Sequence, residues 1–163
     1  MSDPTGTFLA LTLDFSACPW MVHATREAGA GVREDERPRR SNPRVNEYLR
    51  TVGLSDDETP WCSAFVNWCM GQAGMAGTGR GNARSWLHWG TPIADCRLGA
   101  VAVFRRGQDR SRGHVAFYVG DAGGQLLVLG GNQGNRVCVL GYDRGRLLGL
   151  RWPGSVGAAS STP

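Results

Sequence analysis

The chain changes its hydrophobic spacing once, near Pro92, and that change limits it to folds in which helices come first and an antiparallel sheet follows. Before it, apolar residues recur at helical intervals: Trp20, Met21, Ala24 and Ala28, then Val45, Tyr48, Leu49 and Val52, then Phe65, Val66, Cys69, Met70 and Ala73. After it come short runs, 100–104, 114–119, 125–129, 137–140 and 147–151, joined by Gly-rich turns short enough for hairpins. Helices followed by a meander of strands predict an α+β fold, with the helices packed on a five- to six-stranded antiparallel sheet. At 163 residues and 41% hydrophobic content, the core is large enough for one domain without staples. Its expected span is 19–153, after an irregular lead-in over 1–18 and before a flexible, small-residue tail over 154–163.

Capping signals place the helices. Asn42-Pro43 is a good start and Gly53 a good stop for the second helix. Thr59 is expected to cap the third, with Pro60 at its first position, so that Cys62 falls in the opening turn; Gly74 ends it. A short helical segment is expected over Ala83 to Trp89. The charge-dense stretch from Gly29 to Ser41 reads as a solvated loop.

All 18 basic residues are arginines, and the absence of lysine excludes a Schiff base, a Ser-Lys dyad and a Walker-type phosphate loop. The net charge of +4 suits an anionic partner, either nucleic acid or the bacterial cell wall. The arginines are scattered, without a recognition motif, which argues against nucleic acid. Five cysteines cannot all pair internally, and their spacing matches no zinc site, so neither metal nor cofactor is expected. The stretch from Met1 to Leu13 lacks a positive n-region and is too short in apolar length to export or anchor the chain, so neither a signal peptide nor membrane insertion is expected.

Cys62 carries the candidate chemistry. A thiol in the first turn of a helix lies in the positive end of the backbone dipole, which favours the nucleophilic thiolate. His114 opens an apolar strand, where alternation puts it on the face of Ala116 and Tyr118, and small Ala116 would let the Cys62 helix approach. A cysteine–histidine pair needs a third group to fix the imidazole tautomer. Asn132, in Gly130-Gly131-Asn132-Gln133, is the first choice, with Gln133 and Asn135 as fallbacks; the same segment also reads as a plain hairpin turn. Trp61, Ser63, Trp86 and Gln133 are candidate substrate contacts, though core packing is the simpler account of the tryptophans. The order Cys, His, Asn is what a papain-like cysteine hydrolase requires. The rival is a non-catalytic cell-wall-binding module in which Cys62 merely packs.

These residues resemble the NlpC/CHAP group of papain-like cysteine peptidases that cut bacterial peptidoglycan. The likeness rests on Pro60-Trp61-Cys62-Ser63-Ala64-Phe65-Val66-Asn67-Trp68, Gly113-His114-Val115 and Gly130-Gly131-Asn132-Gln133, and extends over roughly residues 19 to 152. It implies a nucleophile at Cys62, a base at His114 and a polar third member at Asn132. It further implies either an N-acetylmuramoyl-L-alanine amidase or a stem-peptide endopeptidase, working as a monomer on peptidoglycan. Without a signal peptide, such a protein is expected to be made in the cytoplasm and to reach the wall as an injected antibacterial effector, by type VI secretion for example, or as a phage lysis factor. An injected enzyme of this kind would be matched by a cognate immunity protein.

Overall fold

The computed structural model describes residues 14–55 and 59–154. The expected tail from residue 155, most of the lead-in and most of the acidic turn at 55–58 lie outside the described residues. Among the described residues, three α-helices precede a six-stranded, wholly antiparallel sheet: α1 (Trp20–Gly29), α2 (Pro43–Arg50) and α3 (Cys62–Gln72), then β1 (Thr91–Ile93), β2 (Val101–Arg105), β3 (Gly113–Ala122), β4 (Gln125–Gly130), β5 (Cys138–Asp143) and β6 (Leu147–Trp152). The spatial order is β1-β6-β2-β3-β4-β5. Short 3-10 turns cover Ala83–His88 and Arg144–Arg146. Strand β1 was not visible in the spacing of the sequence: it has three residues, includes Pro92, and exists by pairing with Arg151 and its neighbours on β6.

The helix starts differ in how they are capped. At α2 the Asn42 side chain accepts from Arg44 N–H at 2.9 Å, as the sequence indicates. At α3 the expected start at Thr59-Pro60 is displaced: the helix begins at Cys62 itself, and Trp61 occupies the cap position without a side-chain cap bond. Trp61 is instead fixed by burial and by donating its indole N–H to Glu34 Oε1 at 2.6 Å. The charged stretch is therefore not wholly a solvated loop. Glu34 N–H donates to Asn135 O and Val137 N–H donates to Val32 O, both at 2.8 Å, stitching this segment to the chain after β4.

The sheet has two apolar faces. One presents Val101, Val103, Val115, Phe117 and Leu129 to the three helices, where Trp20, Met21, Val45, Tyr48, Leu49, Phe65, Val66 and Met70 complete the main core. The other gathers Ala102, Phe104, Ala116, Tyr118, Leu126, Val128 and Leu150, with Tyr142 and Leu147 against them. Ala116 thus lies on the face away from α3, and the helix rests on Val115 and Phe117 instead. Between α1 and α2 the buried Glu27 accepts from Tyr48 Oη at 2.7 Å and pairs with Arg44 Nε at 2.9 Å, so the carboxylate enters the core with both partners.

Candidate active site

Cys62 is the first residue of the central helix and is only 3% exposed, as His114 is 4% and Gln133 2%. Burial by itself raises the thiol pKa. Here it is outweighed by a hydrogen bond from the His114 side chain, the charge of that imidazole, and N–H donation from Val115 and Ser63, so that the Cys62 pKa lies below its ordinary value. Ser63 N–H is free to donate because the first N–H groups of a helix have no intrahelical acceptor.

Val115 N–H is free for a different reason. Tyr118 N–H donates to Ala100 O, so by alternation His114 and Ala116 face β2 while Val115 and Phe117 face β4. The pairing of β3 with β4 stops at Phe117 and Leu129. Beyond that point Val115 N–H is left without a β4 partner and donates to the Cys62 thiol.

The side chain that meets the imidazole of His114 is Gln133. Its Oε1 lies 2.9 Å from His114 Nε2, which assigns the proton to Nε2 and leaves Nδ1 for the thiol. Gln133 is itself held, its Nε2 donating to Cys138 O at 2.7 Å and Val128 O at 3.3 Å. The first choice, Asn132, is corrected by this geometry: it has a left-handed φ of 56°, the conformation that reverses the chain and turns Gln133 back beneath the imidazole. Asn135 also has positive φ, at 61°, and its side chain donates to Glu36 instead.

Three of the expected substrate contacts are supports rather than contacts. Trp61, Ser63 and Trp86 have no exposed surface, and Trp86 donates its indole N–H to Ser63 Oγ at 2.8 Å while Ser63 donates to Arg80 O at 2.6 Å. These bonds brace the first turn of α3 from below. Gln133, the fourth, is occupied by His114. One participant was not legible in the sequence: Tyr142 stacks on the His114 ring, with centroids 5.0 Å apart and planes at 10°, and stacks in turn on Phe104 at 4.9 Å.

The thiol opens onto a groove of about 350 Å³ lined by Pro60, Asn82, Ser111, Gly113 and others. A larger open depression of about 790 Å³ lies along the charged segment from Arg33 to Pro43, and none of the three site residues lines it. Among the described residues no helix is long and apolar enough to cross a membrane.

Residues 54–132 match the family model of the CHAP domain. The crystal structure of the wild-type endolysin LysIME-EF1 is similar to this chain at 19% identity with a TM-score of 0.48, covering 70% of this chain and 66% of that one. The chain thus spans slightly less than two thirds of that endolysin's length. No curated protein sequence matches it. The matched segment, residues 54–132, is similar to the CHAP domain and holds both Cys62 and His114.

Proposed function

We propose that this protein is a cysteine hydrolase that cuts an amide bond of bacterial peptidoglycan. The observation that carries the reading is the hydrogen-bonded run from the Cys62 thiol through His114 to Gln133, with Cys62 lining a groove and both Cys62 and His114 inside the segment that matches the CHAP domain.

In the resting pair the thiolate faces imidazolium. The sulfur attacks the carbonyl carbon, and the oxyanion that forms is positioned to meet Cys62 N–H, which as the first helical N–H has no intrahelical acceptor. His114 passes its proton to the leaving amine as the C–N bond breaks, leaving a thioester on Cys62. The neutral imidazole then takes a proton from water, the resulting hydroxide attacks the thioester, and the carboxylic acid departs as the thiolate and imidazolium re-form. Gln133 keeps Nε2 protonated throughout, so that Nδ1 is always the nitrogen exchanging the proton.

Two bonds fit this chemistry, the lactyl amide between N-acetylmuramic acid and L-alanine, and an amide within the stem peptide. Mass spectrometry of digested sacculi separates them, because only the first frees intact stem peptides from glycan. Cys62→Ala is expected to release nothing while keeping its fold; release at the native rate would end the proposal.

A further inference from the structure

The groove above Cys62 carries charge of one sign. Among the residues lining it, Arg106 and Arg112 are the charged ones, and both lie on the connection between β2 and β3. That loop is clamped from the opposite bank, where Arg84 Nε donates to Arg112 O at 2.7 Å and Arg84 Nη2 to Asp109 O at 3.4 Å. The loop's carboxylate, Asp109, is engaged by Ser111 N–H at 2.8 Å, by Ser111 Oγ at 2.6 Å and by Arg112 Nε at 3.5 Å. Arg106 has no hydrogen-bond or ion-pair partner among the described residues. It also stands near the reaction centre: burial raises the Tyr142 hydroxyl pKa while the charges of Arg146 and then Arg106 oppose that rise, and the Tyr142 ring lies against His114.

A guanidinium differs from an ammonium in presenting a planar fork of donors that matches both oxygens of a carboxylate. We infer that the groove selects an amide flanked by a free carboxylate, with Arg106 as the main recognition group and Arg112 beside it. The inference rests on the hydrolase reading and narrows its substrate to acidic stem peptides, in which D-glutamyl or diamino-acid carboxylates remain unmodified.

The test uses one batch of purified sacculi, half of it converted to carboxamides with carbodiimide and ammonia. The native protein is expected to release fragments from the free-carboxylate half about tenfold faster, with the difference in KM rather than kcat, as the loss of a charge-assisted contact requires. Arg106→Ala is expected to degrade both halves at the slow rate, and Arg106→Lys to recover only part of the difference, since it keeps the charge and loses the fork. Arg50→Ala, an exposed arginine on α2, is expected to discriminate as the native protein does. Equal rates on both halves for the native protein would overturn the inference while leaving the hydrolase standing. Loss of discrimination in Arg50→Ala as large as in Arg106→Ala would overturn it in favour of overall charge. Release from neither half would remove the hydrolase reading and this inference together.

Discussion

Three thiols are buried in this protein, and burial alone would make them alike. It pushes Cys18 up and Cys69 well up, whereas Cys62 moves down because an imidazole and two N–H groups converge on its sulfur. The helix-start position of Cys62 was legible in the sequence, and so was the strand-start position of His114. The identity of the third residue was not. Both Asn132 and Gln133 offer an amide, and only the left-handed turn at Asn132 decides that the second points back at the ring. Gln133→Ala is therefore expected to lower kcat/KM by roughly 10- to 100-fold, the scale of losing an orienting partner that leaves the reacting groups in place. Asn132→Gly, which accepts positive φ, is expected to stay within about twofold of native. Steady-state assays on solubilised wall fragments separate these outcomes. Tyr142 adds a face on which imidazolium can rest, and Tyr142→Leu is expected to slow alkylation of Cys62 at neutral pH by about two- to fivefold.

At the level of elements, the site depends on how closely the chain after β4 approaches α3. A side chain built at Gly131 would meet Phe65 Cβ and Trp61 Cζ3 at 2.7 Å, and one at Gly130 would meet Ala116 Cβ at 2.7 Å. Gly131→Ala is expected to cost roughly 1–3 kcal/mol of stability, read from the midpoint of urea unfolding. Its neighbours there are a helical Cβ and a fully buried indole that has no room to move. The Gly-Gly pair was visible in the sequence as turn chemistry, although its use is close approach. The segment around Glu34 was misread for a related reason. Charge density suggests solvent, yet the backbone of that segment pairs across to Asn135 and Val137, and one of its carboxylates satisfies the buried Trp61.

Across the whole molecule, the division into helices and then strands was readable because helical and strand periods differ, and the order of Cys62 and His114 followed from it. Their convergence was not readable, since it depends on where β4 stops relative to β3, a matter of register rather than composition. The helical layer is joined by the Glu27, Tyr48 and Arg44 cluster, which the apolar pattern conceals because Tyr48 counts only as a core residue. Tyr48→Phe leaves Glu27 short of one donor in the core and is expected to cost about 1–3 kcal/mol in thermal or urea unfolding.

The claim on which everything turns is that the sulfur of Cys62 is an ionised nucleophile sustained by His114. The rate of Cys62 alkylation as a function of pH, followed by mass spectrometry of the labelled peptide, measures this directly. In the native protein the rate is expected to reach half its maximum below the ordinary thiol value of 9.0 and to move upward in His114→Ala, where burial is left to oppose the charge. A midpoint at or above 9.0 that is the same in both proteins would contradict the account.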